Sequence, residues 1–250
     1  VTGNNAANKP EAERMYNPAR PNAQRLAELA KKLCDIVKTV DTTHTVTLAA
    51  AFPEHSADLG FIDSVDVAGY NYKENLYTEH HLAFPDKPLL GSENGHRLQD
   101  WHAVTDNEYI SGQFLWTGID YLGEAHGWPI HGSGAGLLTL AGFEKPGYYR
   151  RQSFWSDEPM IHLTTVRETD SCVTSWGETA ADAYTCESAS STESWNYCNG
   201  ELITVKCYTN LSSVELFLND RSLGIYEKDA DRDCILTPVS YEPGTLTAKG

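Results

Sequence analysis

Four short apolar runs constrain the fold more than any other feature of this sequence. They cover residues 45–51, 65–68, 88–91 and 112–117, and helix-like or loop segments separate them. None shows the strict alternation of a strand that is half exposed to water. Runs of this kind predict strands of a parallel sheet with both faces covered. The chain is therefore expected to fold, at least in its first part, as an α/β protein.

A helix is predicted over residues 22–40, ahead of these strands. Pro18 and Pro21 precede the segment, and proline is tolerated at a helix start. Apolar side chains recur at helical spacing along one face. These are Leu26, Leu29, Leu33, Val37 and Val40.

Polar and aromatic residues cluster at the carboxyl ends of the apolar runs. Tyr70, Asn71 and Tyr72 follow the second run, Glu93 follows the third, and Trp116 and Asp120 follow the fourth. In a β/α barrel the active site is built at that end of the strands. A helix cap or a surface acid is the alternative explanation for Glu93 considered by itself.

The pattern changes after Trp155. Residues 168–200 are rich in Ser, Thr, Glu and Asp, whereas 202–208, 214–218 and 245–249 read as short β-strands. This pattern predicts a small antiparallel sandwich. We expect barrel elements over 1–155, a linker or insertion over 156–200, and the sandwich domain over 201–250.

Composition excludes two classes of partner. Nineteen basic and thirty-five acidic residues give a formal charge of −16, which repels phosphate and argues against nucleic acid. No apolar run approaches the roughly 18–20 residues of a membrane span. A membrane partner is therefore not expected.

Cysteine and histidine spacing points to no metal or other cofactor. Cys34 lies in the helical pattern and is expected to be a core thiol, and His80-His81 is expected to be a solvated loop pair. The other cysteines, which show no zinc-binding spacing, predict one or two disulfides of undetermined pairing, with Cys172 and Cys186 as one candidate pair. They are Cys172, Cys186, Cys198, Cys207 and Cys234. Together with an Asn210-Leu211-Ser212 sequon, they favour an extracellular or periplasmic location.

Several long motifs, in order, resemble glycoside hydrolase family 2 enzymes of the β-galactosidase type. In the barrel part they are DVAGYNY at 66–72, LLGSEN at 89–94, GQFLWTGIDYLGE at 112–124 and GLLTLAGFEKPGYYRRQSFW at 136–155. YTNLSSVELFLNDRSLG at 208–224 and SYEPGTLTAKG at 240–250 resemble the sandwich domain that often follows such barrels. The resemblance implies the later part of a (β/α)8 TIM barrel followed by an immunoglobulin-like all-β sandwich.

The resemblance also implies roles for the residues at the strand ends. Glu93 would be the nucleophile of a retaining mechanism, with a second carboxyl about 5–5.5 Å away. Tyr72, or Tyr70, would direct its hydroxyl at Glu93, and Trp116 would form an apolar wall for a sugar face. Asn71 and Asp120 complete the expected substrate-binding set on this side. Packing at a strand end is the alternative for each aromatic residue.

The family's acid/base glutamate stands in a Gly-Asn-Glu triplet, and here the chain departs from the pattern. It reads Gly3-Asn4-Asn5, so Asn5 holds the acid/base position and Asn4 matches the asparagine that binds the sugar. An amide cannot protonate a leaving group as a carboxylic acid does. Either this version is impaired, or the match is accidental and the acid lies upstream.

Length is a second departure, because a full barrel needs roughly 200–250 residues. The expected barrel part covers residues 1–155. We therefore expect the first strands of the barrel in a missing N-terminal part or in a second chain.

The expected function is that of an exo-acting retaining glycosidase that hydrolyses terminal β-galactosides. The alternative is a catalytically inactive carbohydrate-binding relative or an inactive fragment, which Asn5 and the absent half-barrel favour. β-Glucuronidase activity is less favoured. Its Asn-x-Lys signature occurs only as Asn71-Tyr72-Lys73, at a different place.

Overall fold

The computed structural model describes residues 23–53, 59–125, 127–167, 191–229 and 232–250. The chain divides into two compact units, Val1–Trp116 and Thr117–Gly250. Asn4, Asn5, Cys172 and Cys186 lie outside the described residues. The domain boundaries expected near 155 and 200 stay a prediction.

The first unit alternates helices and strands. Its helices are α1 (Ala23–Val40), a 3₁₀ turn (Glu74–Leu76), α2 (Tyr77–Ala83) and α3 (Leu98–Thr105). Its strands are β1 (Thr47–Ala50), β2 (Val67–Asn71), β3 (Leu89–Asn94) and β4 (Ile110–Leu115).

The four strands form one parallel sheet in the order β1-β2-β3-β4. Each strand overlaps one of the four predicted apolar runs, so the predicted parallel sheet is confirmed. Its core is a cluster of fully buried side chains that includes Ile62, Tyr70, Tyr77 and Leu89. Four consecutive buried residues show that β2 is covered on both faces, which explains why it lacks alternation, whereas β1 and β4 keep exposed positions.

Helix α1 agrees with the predicted helix to within one residue, but its buried face is different. Ala27, Ala30 and Cys34 are buried, whereas Leu33 is 58% and Val40 88% exposed. Cys34 is thus a core thiol as predicted, and burial raises its pKa. The leucine and valine stripe lies mostly outside the core described here.

The second unit is mostly antiparallel. Its elements are β5 (Tyr121–Leu122), β6 (Gly132–Ser133), α4 (Pro146–Trp155), β7 (Ile161–Arg167), β8 (Leu202–Thr209), β9 (Ser213–Leu218), β10 (Arg221–Glu227), β11 (Ile235–Ser240) and β12 (Leu246–Lys249). Two three-stranded sheets, β10-β9-β12 and β11-β8-β7, share one apolar core. Val205, Val214, Leu216 and Val239 belong to that core, and alternate residues of β9 and β11 are buried, as expected for sheets with one solvated face.

One strand of this unit lies inside the segment that the sequence assigned to a linker. Strand β7, at Ile161–Arg167, pairs with β8 along its whole length. Its sequence, IHLTTVR, carries the β-branched residues favoured in strands. The Ser- and Thr-rich composition of the following residues concealed this signal.

The glycosylation sequon has a structural role that was not anticipated. The Nδ2 atom of Asn210 donates to the carbonyl oxygens of Ser156 at 2.8 Å and Glu158 at 2.7 Å. Its Oδ1 atom accepts the N–H of Met160 at 2.9 Å. Because both amide hydrogens are used, this side chain is not available as a glycan acceptor in the folded protein.

Two of the late cysteines are thiols, which leaves room for one of the expected one or two disulfides. Cys198 is exposed and Cys207 is buried, and both are free. Burial raises the pKa of Cys207 to about 12. The suggested Cys172–Cys186 bridge lies outside the described residues.

Candidate active site

The carboxyl ends of β2, β3 and β4 bring four of the predicted site residues to one rim of the parallel sheet. Asn71 and Glu93 are register partners in neighbouring strands. The N–H of Tyr72 donates to the Glu93 carbonyl at 2.8 Å, and the N–H of Trp116 donates to the Asn94 carbonyl at 3.1 Å. The backbone of Glu93 therefore lies between those of Tyr72 and Trp116.

A β-bulge in β3 precedes Glu93. Against β2, Tyr70 pairs with Gly91 and the next residue, Asn71, pairs with Glu93. Against β4, Gly91 pairs with Gln113, and Asn94 pairs with Leu115. Each neighbour thus skips one residue of β3. Bulges of this kind re-aim side chains and are frequent beside active sites.

Asn71, the last residue of β2, and Tyr72, which follows it, have constrained conformations at this rim. The Oδ1 atom of Asn71, which is buried, accepts a hydrogen bond from Ser92 Oγ at 2.8 Å. Tyr72 has a φ of 54°, a left-handed conformation that costs a non-glycine residue of order 1 kcal/mol or more. Backbone strain of this kind clusters at functional sites.

Tyr70 does not direct its hydroxyl at Glu93. Its side chain is fully buried, and its hydroxyl oxygen lies 2.7 Å from Nδ1 of His80. Successive side chains of a strand point to opposite faces, so Tyr70 projects away from the face of Asn71. Burial raises the pKa of Tyr70. The structure therefore assigns Tyr70 to the core.

The histidine pair is helical and is not the solvated loop pair that was predicted. His80 is buried in α2, and the His81 ring stacks on Tyr109 with ring centroids 3.9 Å apart. Among the described residues, no group of three or more His, Cys, Asp or Glu side chains could hold a metal ion. Within the same residues, no helix is long and apolar enough to cross a membrane.

Asp120 lies in the second unit and organises a loop. Its Oδ1 atom accepts from Lys145 Nζ at 2.8 Å and from the N–H of Gly136 at 2.9 Å. Lys145 Nζ also donates to the Gly134 carbonyl at 2.7 Å. These contacts give Asp120 a structural function, and its predicted sugar contact stays a prediction.

The sequence analysis did not predict a polar cluster that lies beside the Glu93 strand. Asn94 is fully buried, and its Nδ2 atom donates to Glu74 Oε1 at 2.7 Å. Burial, followed by repulsion from Asp100, raises the pKa of Glu74 to about 7. Asp100 is itself buried and accepts two hydrogen bonds from Arg97, at 3.1 and 2.8 Å. The position of Glu74 within YNYKENLY, between aromatic residues, was the only available signal.

Comparison with known proteins shows to which family this chain is related. The β-galactosidase BoGH2A of Bacteroides ovatus is 30% identical over 87% of this chain and 28% of its own length. A solved structure of a glycosyl hydrolase family 2 member from Bacteroides cellulosilyticus superposes with a TM-score of 0.76 at 30% identity, covering 91% of this chain and 31% of that one. The chain is related to glycoside hydrolase family 2.

Two further matches cover parts of the chain. Residues 200–250 match a family model described as a domain of unknown function, DUF4982. A Formosa agariphila protein that is named a β-glucuronidase only provisionally is 34% identical over 60% of this chain and 13% of its own length. The chain thus spans less than a third of each of these family 2 relatives.

Proposed function

We propose that this chain carries the nucleophile half of a retaining exo-glycosidase active site, with Glu93 as the nucleophile. The observation that carries the proposal is the placement of Glu93 at the carboxyl end of β3, after a bulge and between the backbones of Tyr72 and Trp116. Four parallel strands in chain order are what one wall of a β/α barrel requires. The remaining barrel strands would come from another part of the polypeptide or from a second chain.

In the proposed first step, a Glu93 carboxylate oxygen attacks the anomeric carbon and forms a glycosyl ester. The bond from that carbon to the leaving-group oxygen breaks, and its electron pair stays with the oxygen, which an acid protonates. Water then attacks the same carbon, loses a proton to the base, and releases Glu93 as the carboxylate. Asn5 occupies the acid/base position of the family motif, so this chain lacks that carboxyl if the motif match holds.

A terminal β-galactoside is the substrate class that we favour. BoGH2A is named a β-galactosidase, and it matches most of this chain. The Asn-x-Lys pair expected for a glucuronide carboxylate occurs only at Asn71-Tyr72-Lys73, where Lys73 is buried and lies over the Phe52 ring. A lysine held in that way is poorly placed to reach a sugar carboxylate.

A second candidate function is carbohydrate binding without turnover. The sequence Gly3-Asn4-Asn5 favours it, because an amide at the acid/base position cannot donate the proton that a poor leaving group needs.

An activated mechanism-based reagent separates the two functions, because it does not depend on the acid. The complete protein would be incubated with a dinitrophenyl 2-deoxy-2-fluoro-β-galactoside, and the peptides would be analysed by mass spectrometry. Labelling of Glu93, lost in Glu93→Gln and kept in the exposed-site control Glu108→Gln, supports the glycosidase. Saturable galactoside binding without labelling supports the binding protein, and labelling of another carboxylate contradicts the role of Glu93.

A further inference from the structure

A buried polar contact lies beside the β3 bulge that precedes Glu93. The amide of Asn94 donates to Glu74 Oε1 at 2.7 Å and lies 3.4 Å from the Tyr77 hydroxyl. Asn94 is the residue after Glu93 and has no exposed surface. The side chain that directly follows Glu93 is therefore hydrogen-bonded to the 3₁₀ turn after β2.

The Asn94–Glu74 contact packs closely against the residues on both sides of the bulge. A Cβ atom at Gly91, on the other side of the bulge, would lie 1.9 Å from Asn94 Oδ1 and 2.9 Å from the Tyr77 hydroxyl. A Cβ atom at Gly95 would lie 2.6 Å from Asp100 Oδ2. A side chain at either glycine would therefore displace Asn94 or Asp100, two members of this polar cluster.

In the polar cluster, burial destabilises the ionised form of one carboxyl, that of Glu74. Glu74 faces Asp100 of α3, Arg97 immediately before α3, and Tyr77 of α2, and burial is the main reason that its pKa rises to about 7. Arg97 offsets the repulsion only in part, since its guanidinium is bonded to Asp100. A partly buried carboxyl of this kind, with its pKa raised by desolvation, is retained at a cost in stability, which calls for a compensating role.

We propose that Glu74 is a positioning residue, which acts through Asn94 to hold the β3 bulge and thereby orients Glu93 toward the anomeric carbon. The inference rests on the proposed function of Glu93 as nucleophile. Successive side chains of a strand point to opposite faces, so Asn94 and its partner Glu74 lie on the face opposite the Glu93 side chain and would not touch the sugar. Loss of the contact would let the bulge relax, and a misplacement of about 1 Å at a reacting group can reduce a rate by about 10²-fold.

The test compares two substitutions at position 74 of the complete protein. Glu74→Leu removes the acceptor, whereas Glu74→Gln keeps a side chain that can bond to Asn94. The first measurement is the rate constant for inactivation by the fluorogalactoside. The second is hydrogen exchange at the Tyr72 and Trp116 amides, which donate to the carbonyls of Glu93 and Asn94.

We expect Glu74→Leu to slow inactivation by about 10²-fold and to speed exchange at both amides. Glu74→Gln should stay near the parent in both measurements, as should the control Glu79→Leu on the exposed face of α2. If Glu74→Leu does not fold, the shorter acid in Glu74→Asp provides the same comparison. Parent-like inactivation in the folded variant overturns the proposal, even if exchange changes.

The two proposals fail in different ways. If the parent protein is not labelled at Glu93, the proposed function fails, whereas the exchange rates still report whether Glu74 holds the bulge. Parent-like exchange in Glu74→Leu overturns the structural part of the inference, whatever the parent does with the sugar.

Discussion

Replacing Glu74 by glutamine should stabilise the protein in a way that depends on pH. Burial raises the pKa of this carboxyl from its ordinary value of 4.5 to about 7. Well below pH 4.5 the carboxyl is protonated in both the folded and the unfolded chain, so it does not change the free energy of unfolding. Between pH 4.5 and 7 the unfolded chain loses the proton first, so the free energy of unfolding falls as the pH rises. Above pH 7 the penalty is fully present.

The size of the penalty follows from the two pKa values. A separation between 4.5 and about 7, at about 1.36 kcal/mol per pH unit, corresponds to about 3 kcal/mol. Glu74 is partly exposed, and water that reaches it lowers the figure to about 1–3 kcal/mol. Glutamine removes the charge but keeps the hydrogen bond to Asn94, so it should recover most of this free energy.

Urea unfolding of the complete protein at pH 5 and pH 8, followed by tryptophan fluorescence, measures the effect. We expect Glu74→Gln to raise the unfolding free energy by about 1–3 kcal/mol at pH 8 and by less than about 1 kcal/mol at pH 5. Glu79→Gln, at an exposed position on the neighbouring helix, is the matched control. An equal gain at both pH values, or a loss at pH 8, would refute the electrostatic reasoning.

Three other substitutions or reagents test separate features. Gly91→Ala should disrupt the β3 bulge, because its Cβ would lie 1.9 Å from Asn94 Oδ1, and it should lower the unfolding free energy far more than Gly118→Ala, where nothing lies within 4 Å. Asn210→Ala removes three hydrogen bonds and should cost about 2 kcal/mol in urea unfolding, against little for the exposed Asn199→Ala. A maleimide at neutral pH should label exposed Cys198 in the native protein and label Cys207 only after denaturation, and native labelling of Cys207 would contradict its burial.

The meeting of the predicted site residues at the carboxyl ends of the strands could be predicted, because it depends on strand order alone. Apolar runs separated by helical segments imply parallel strands, and parallel strands deliver the residues that follow them to one edge. Asn71, Tyr72, Glu93 and Trp116 meet there for that reason. The family motifs added the chemical roles, which no spacing of residues could supply.

Other features depended on which neighbours the folded chain brings together. The inward direction of Tyr70 depends on the pleat of β2, since a shift of one residue reverses every side chain. Strand β7 is recognisable as a strand chiefly because β8, many residues later in the chain, pairs with it. Composition in the intervening segment said nothing of that pairing.

Charged and polar side chains show most clearly which features could be predicted from sequence and which depend on the folded chain. The sequence gives none of three such residues a partner within the protein: Asp120 is a candidate sugar contact, Asn210 belongs to a sequon, and Glu74 is an ordinary acid expected on the surface. The folded chain instead bonds them to Asn94, Lys145 and the backbone of residues 156–160. Local sequence determines strand and helix through periodicity, whereas only tertiary structure removes water from a polar group and decides which partner replaces it.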